Sequence, residues 1–270
     1  MLHKLKQSTA YKLAAEAYHS FKSKKHLAKK SEGFYCPGCK KYWKSFKPFP
    51  QHWLQGLTDS GWPYKMDDVE TLNYENYCCY GCGITDRDRL YILFFKKMLD
   101  KHRQYSVLEF APRPALSNFL KSMPNVIHRT TDLFMNEVDD KLDIQNLYLY
   151  NDNSFDVFIC SHILEHVTDD IKAMKELYRI LSPGGIGITM VPIMLPITKT
   201  KENPSITDAS MRLKYFGQAD HVRLYAKQEF LQRLASVGFK VKLYTVDDFG
   251  KEVFQKCGIT QKSVLYVVGK

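Results

Sequence analysis

Nowhere in the sequence do apolar residues run on for the ~18 positions that a membrane-crossing helix needs, so a transmembrane segment is excluded. No apolar stretch follows the first charged residues, so a cleaved export signal is not expected, and the cysteines are read against a reducing, cytoplasmic background. The first fifty residues hold no arginine and only two acids, Glu16 and Glu32. They hold twelve lysines, so the whole formal charge of +10 sits there and residues 51–270 balance to zero. A charge confined to one end argues against a protein-wide nucleic-acid surface. Hydrophobic residues make up 44% of the 270, enough for a core, and the length suits one large domain or one domain with a small module.

The basic segment, residues 1–34, has apolar residues at helical spacing: Leu2, Leu5, Leu13, Ala14, Ala17, Tyr18 and Phe21. Lysines fill most of its other faces. The pattern predicts a helix over the first 30 residues that packs its stripe on the body. The same helix offers a patch for an anionic partner: a phosphorylated substrate, nucleic acid or an acidic membrane surface. A mitochondrial presequence would favour arginine, and none is there.

Four of the seven cysteines form two C-x-x-C pairs, Cys36/Cys39 and Cys79/Cys82. Two such knuckles supply the four thiolates that tetrahedral Zn²⁺ takes in a closed, structural site. Gly38 and Gly81 let each knuckle turn. Disulfides do not suit a chain without an export signal, and a thioredoxin-like pair would need a βαβ setting. Cys78 is an alternate ligand, but Cys79 completes the spacing with Cys82. Cys160 and Cys257 read as buried thiols. The aromatics between the knuckles, among them Tyr42, Trp43, Phe46, Phe49, Trp53, Trp62 and Tyr64, are expected to form a small core around the metal. Residues 35–84 are thus expected to be a zinc module.

Residues 85–270 alternate helix and strand. Helices are expected over 86–103, 115–122, 168–181 and 227–237, and strands over 106–110, 125–131, 155–160 and 186–191. A terminal strand pair is expected over 239–246 and 263–268. Ser182-Pro183-Gly184-Gly185 stops the long helix. Such alternation implies a mostly parallel sheet with helices on both faces, whose ligands bind beyond the carboxyl ends of the strands. Glu109 ends the first strand of this body. Asp132 ends the second at the distance where nucleotide-binding sheets place a carboxylate on a ribose diol, which can donate two hydrogen bonds to it.

Residues 106–191 resemble class I S-adenosylmethionine-dependent methyltransferases of the subgroup with a D-x-V-x-x-x-x-x-L-E-H signature. Here it runs from Asp156-Val157 to Leu164-Glu165-His166, and Arg179-Ile180-Leu181-Ser182-Pro183-Gly184-Gly185 is similar to the family's R-x-L-K-P-G-G turn. The resemblance implies an α/β, Rossmann-like seven-stranded sheet over about residues 85–270, with the zinc module ahead of it. It also implies S-adenosylmethionine as cofactor. Glu109 would order the cofactor's amino group, directly or through water, and Phe110 and Ala111 would line its methionine end. Asp132 would hold the ribose, Leu133 flank adenine, and Asp143 and Ile144 meet the adenine edge. Ser161 and His162 would face the sulfonium. The loop Glu109-Phe110-Ala111-Pro112-Arg113-Pro114-Ala115 departs from the family's glycine-rich pattern, and its prolines leave fewer N–H donors. A non-catalytic scaffold on the same fold is therefore the alternative to an enzyme.

A zinc-knuckle segment ahead of such a domain is similar to bacterial methyltransferases that accompany surface-glycan enzymes, as is the stretch Phe216–Tyr225. An O-methyltransferase acting on a sugar or phosphorylated glycan precursor follows as the expectation. An RNA methyltransferase is the enzyme alternative, weakened by the arginine-free N-terminus and the absent N-P-P-[YF] motif. An alcohol acceptor needs a base. His221 is the first candidate, with Asp220 beside it to set its tautomer, and His162 is the second. Arg223 would clamp an anionic group of the acceptor. His166 begins a helix and reads as structural. Residues 192–225 form an insertion, proline-bearing and aperiodic over 192–214, expected to lie over the site as a lid with Thr200 and Glu202 as polar contacts.

Overall fold

The computed structural model describes residues 24–29 and 32–270. A hairpin of β1 (Phe34–Cys36) and β2 (Lys41–Trp43) comes first, then α1 (Gln51–Asp59) and α2 (Asp86–Met98). There follow β3 (Tyr105–Phe110), α3 (Pro114–Lys121), β4 (Val126–Asp132), β5 (Asp140–Lys141), β6 (Phe155–Ser161), α4 (Asp170–Ile180) and β7 (Leu181–Met190). The last third holds β8 (Lys201–Glu202), α5 (Ala209–Phe216), β9 (Arg223–Leu224), α6 (Lys227–Ser236), β10 (Lys240–Tyr244), α7 (Val246–Phe249), α8 (Lys251–Lys256) and β11 (Leu265–Gly269).

Seven strands make one sheet in the order β10-β11-β7-β6-β3-β4-β5, parallel except for β11, which runs antiparallel to both neighbours. The central strands β3 and β6 are runs of Val, Leu, Ile and Phe buried on both faces, as strands covered by helices must be. From β3 the chain winds outward to β4 and β5 on one side and to β6 and β7 on the other. The crevice beyond the ends of β3 and β6 is the topological switch point, where sheets of this kind bind ligands. Local signals fix the helices between them. Thr85 and Asp88 form a capping box for α2, and Asp169 caps α4 through the Lys172 N–H. The expected helix start at Thr168 moves to Asp170, so the Leu164–His166 turn stands apart from the helix. Ser182–Gly185 does not precede β7 but lies within it. Pairing with β6 jumps from Phe155–Leu181 to Val157–Ile186, a bulge that the two glycines accommodate.

The cysteine segment shares one continuous core with the sheet: Cys36, Trp43, Phe46, Cys79 and Ile84 pack in the same cluster as α2 and β3. Arg89 of α2 is fully buried and holds the two parts together. Its guanidinium donates to the carbonyls of Asn76, Tyr77, Ile84 and Gly258 at 2.6–3.4 Å and stacks 4.0 Å above the Phe46 ring. Arg89→Ala leaves those carbonyls unpaired inside the core, so we expect a loss of about 3–5 kcal/mol of stability, read as a fall in the denaturation midpoint. A midpoint unchanged from the parent would refute this role.

Most of the lysine-rich helix expected over 1–30 lies outside the described residues. The part that is described corrects the expectation. His26, Leu27 and Ala28 run beside β2, with backbone hydrogen bonds to Tyr42 and Lys44, and the His26 ring stacks on Tyr80 at 3.7 Å. No helix among the described residues is long and apolar enough to cross a membrane.

Candidate active site

Four sulfurs converge where the two knuckles meet. Cys36 and Cys82 Sγ are 3.6 Å apart, Cys39 and Cys79 Sγ 3.8 Å, and all four lie within 4.8 Å of one another. Tetrahedral zinc with bonds of about 2.3 Å sets sulfur–sulfur edges of about 3.8 Å, so the donor set fits the ion. Hydrogen bonding among the sulfurs pulls the Cys39 and Cys79 thiols down and pushes Cys36 and Cys82 up. Cys78 Sγ turns away toward the Gly83 carbonyl, which leaves Cys79 in the set. The knuckle glycines serve by lacking a side chain. A Cβ on Gly38 would meet Ile84 at 2.1 Å and one on Gly81 would meet Trp43 at 2.4 Å.

At the switch point, Ala111 follows β3 with φ 47° and His162 follows β6 with φ 57°, both in the left-handed region. Strain of this kind collects at functional sites. Ala111 thus holds a left-handed turn of the kind that glycine takes most readily. Glu109 is placed differently from its expected role. Its carboxylate points into the protein, where it accepts from Ser117 Oγ at 2.7 Å, pairs with His128 Nε2 at 2.8 Å and receives the Arg113 N–H at 3.4 Å. It shapes the loop from within and presents no free oxygen to a ligand's amino group. Phe110 is buried beneath the loop. Arg113, where a glycine would stand, pairs with Asp88 and with Thr85 Oγ1, tying the loop to α2.

Asp132 ends β4 with one oxygen accepting the N–H groups of Phe134 and Met135, both at 2.7 Å. No hydrogen bond among the described residues takes its other oxygen. Leu133, Phe134 and Met135 beside it are exposed apolar side chains, 47%, 83% and 37% accessible. Asp143 turns its carboxylate to Gln145, and Ile144 is buried. Ser161 Oγ shares a 2.8 Å hydrogen bond with Tyr91, whose phenol burial pushes up to about 12.

Beside His162 lies a cavity of about 340 Å³. Its wall comes from three stretches of chain: Phe49, Trp53, Trp62 and Tyr77 from between the knuckles, Pro192 and Met194 after β7, and Phe216, His221 and Leu224. The inter-knuckle aromatics therefore divide. Trp43 and Phe46 pack near the sulfurs as expected, whereas Trp53, Trp62 and Tyr77 line the cavity. Nothing in their spacing distinguishes the two groups. The insertion does cover this region, as backbone pairing of Val69 with Met194 and a cluster of Met194, Ile197, Phe216 and Leu224 bind it to the 62–69 loop. Thr200 and Glu202 face elsewhere: Thr200 accepts the Ala226 N–H, and Glu202 pairs with Arg223 and Arg233.

Arg87 also lines the cavity, a residue the sequence did not single out. Burial pulls it down, but the phenols of Tyr77 and Tyr91 and the carboxylates of Asp86 and Asp88 outweigh this and keep it above its ordinary value. It is a permanent cation in a mostly aromatic wall, and its Nε is buried without a partner.

Arg223 cannot clamp an acceptor. It is buried, and its guanidinium is spent on Glu202 and on the carbonyls of Leu164, Val167 and Thr168. With the Val222 N–H donating to the Glu165 carbonyl, this pins the 220–224 strand against the Leu164–His166 turn. His221 is thereby brought against that turn. Its Nδ1 lies 3.0 Å from the Phe216 carbonyl, so the proton sits there and Nε2 carries a lone pair, buried and unpartnered. Burial pushes His221 down to about 4, leaving the ring neutral at pH 7. Asp220 does not orient His221, because the turn at Gln218–His221 sends the two side chains to different partners. It pairs instead with His166 Nδ1 at 3.2 Å. Burial, then Arg87, push His162 well below its ordinary value. Glu165, fully buried, is pushed up to about 8 by the same loss of solvent. His162 Nδ1 is 3.2 Å from a Glu165 oxygen but off the hydrogen-bonding direction, and neither Glu165 oxygen makes a hydrogen bond.

The sheet order and the antiparallel final hairpin match the Rossmann-like methyltransferase fold. Residues 128–189, from β4 to β7, match the family model described as a methyltransferase domain. The chain is similar to the ubiquinone/menaquinone biosynthesis C-methyltransferase UbiE of Pasteurella multocida (strain Pm70), 30% identical over 105 residues, which are 34% of this chain and 38% of that protein. The same enzyme of Haemophilus ducreyi (strain 35000HP / ATCC 700724) is 30% identical over 98 residues, 32% of this chain and 37% of that one. The chain thus spans well under half the length of these curated relatives. Among solved structures, a SAM dependent methyltransferase from Archaeoglobus fulgidus is similar at 15% identity, covering 68% of this chain and 91% of that chain with a TM-score of 0.44.

Proposed function

We propose that the protein transfers the methyl group of S-adenosylmethionine to an oxygen of a small acceptor held in the cavity. The observation that carries this reading is the position of His162. It ends β6 at the switch point and is also part of the cavity wall, so a donor in the crevice and an acceptor in the cavity meet there. Asp132 would take the ribose hydroxyls on its unused oxygen, and the turn at Ala111 would receive the methionine end. Transfer breaks the sulfonium carbon–sulfur bond and forms a carbon–oxygen bond. The acceptor's proton goes to a base, for which His221 Nε2 is neutral and unpartnered in the wall. Most of the acceleration comes from holding the two reactants in line.

The finer reading is a sugar or phosphorylated glycan precursor. Trp53 and Trp62 offer aromatic faces for a sugar ring, and Arg87 offers a cation for a phosphate or carboxylate. The curated relatives are named for carbon methylation, but their matches cover about a third of this chain and the acceptor wall here draws on residues before 78 and after 191. The four-cysteine site would hold structural zinc.

Calorimetry with S-adenosylmethionine tests the donor half. Asp132→Ala is expected to weaken binding by about tenfold to a hundredfold, the worth of one or two charge-assisted hydrogen bonds. Asp132→Asn, which keeps the acceptor for Phe134 and Met135, should weaken it less. A parent protein that binds no cofactor would leave the fold as a scaffold. A methyl-transfer screen against nucleotide sugars and total RNA separates the acceptor classes.

A further inference from the structure

One side-chain cluster goes beyond the methyl-transfer machinery. Glu165, His166 and His221 each offer a ligand atom, and these atoms all lie within 4.8 Å of one another. Glu165 is buried and neither carboxylate oxygen makes a hydrogen bond, although one lies 3.2 Å from His162 Nδ1, and His221 Nε2 is likewise buried without a hydrogen bond. Three orphaned polar atoms in one spot are costly unless something polar satisfies them.

The two imidazoles are already arranged as metal ligands are. In each, Nδ1 faces an acceptor: Asp220 at 3.2 Å for His166 and the Phe216 carbonyl at 3.0 Å for His221. Such outer partners fix the tautomer and leave Nε2 as the coordinating nitrogen. The ring centroids are 4.6 Å apart and the planes are nearly perpendicular, at 84°. With metal–nitrogen bonds of about 2.1 Å, two imidazoles on one ion have centroids about 4.6 Å apart at a right angle and about 5.3 Å apart at a tetrahedral one, so a small opening of the pair suffices for Zn²⁺.

We propose that Glu165, His166 and His221 form a second metal site, taking a divalent first-row transition ion such as Zn²⁺. Two imidazoles and one carboxylate suit these ions, whereas Mg²⁺ and Ca²⁺ prefer all-oxygen sets. Three protein ligands leave at least one position open, unlike the closed four-sulfur site. The ion would sit at the cavity wall, to which His221 belongs, and its open position would hold water or an acceptor oxygen. With the ion bound, the His221 lone pair would be engaged and would not itself accept a proton; an acceptor hydroxyl on the ion would be acidified instead and would give its proton to water as the carbon–oxygen bond forms. That use rests on the methyl-transfer reading; the binding does not.

The test is metal stoichiometry on the full chain, purified with its cysteine-held zinc and titrated with Co²⁺. The parent is expected to take up one further equivalent, whose visible bands lack the charge-transfer absorption of thiolate ligands. Glu165→Gln and His221→Ala should each lower affinity for that equivalent by more than about a hundredfold, with the tightly held zinc retained. If either variant does not fold, His166→Ala at the half-exposed partner reads the same loss. Saturation of the parent without a further equivalent would assign the orphaned atoms to water and overturn the proposal. So would a further equivalent that survives Glu165→Gln and His166→Ala. Cofactor binding, measured separately, is expected to be unchanged in all three variants, so failure here is distinct from failure of the methyl-transfer reading.

Discussion

Exchange of Cys79 for serine is expected to abolish the zinc binding proposed for the two knuckles and to lower stability by more than about 4 kcal/mol. Binding at structural zinc sites is folding free energy, on the order of 10–16 kcal/mol in small zinc-folded peptides at neutral pH. Three sulfurs hold the ion far more weakly than four. The loss would not stay local, because Cys79 and Cys36 are fully buried in the core that continues into α2 and β3. Neighbouring Cys78 cannot replace the missing ligand, since its sulfur faces the Gly83 carbonyl. Cys78→Ser is therefore the control, expected to retain the metal. Elemental analysis and denaturant unfolding check both variants. A Cys79→Ser protein that keeps its zinc and its midpoint would refute the four-sulfur assignment.

The second large effect is expected at His221. His221→Gln should cut methyl transfer by about 10²–10⁴-fold, the range for losing a proton acceptor at the reacting group. Cofactor affinity should hold, because His221 reaches the cavity from the 220–224 strand, away from the ends of β3 and β4 where the cofactor would bind. Glutamine can preserve the hydrogen bond to the Phe216 carbonyl, so the change removes the lone pair with little disturbance of the turn. Single-turnover transfer alongside calorimetry separates the two effects. Undiminished turnover would remove His221 from the chemistry.

Much of this molecule was legible in advance, for identifiable reasons. Strands β3 and β6 each carry a short apolar run, Val107–Leu108 and Val157–Cys160, and α4 carries its stripe at helical spacing. The two C-x-x-C pairs name their own partners, because a tetrahedral ion demands four ligands. Arg223 was misread because an arginine's role depends on which carbonyls the tertiary fold brings within reach, and Leu164, Val167 and Thr168 are more than fifty residues away. Glu109 was misread for a related reason. The β3–β4 register sets Glu109 opposite Thr130, and His128, two residues earlier on β4, reaches its carboxylate. Asp220 and His221 looked like a pair because they are adjacent, but the turn that holds them sends one to His166 and the other to the Phe216 carbonyl. The division of the inter-knuckle aromatics between metal core and cavity wall had no signal at all, since both groups are simply aromatic.

That wall has a consequence for how such a protein diversifies. The strand ends proposed to face the donor lie between residues 105 and 162, while the wall proposed to face the acceptor comes, apart from Arg87 and His162, from segments before 78 and after 191. The cysteine cluster fastens both ends of the first of these segments. Selectivity can thus drift through the first of these segments, or be transplanted with it as a cassette clamped at its two knuckles, with the proposed donor site and His221 left untouched.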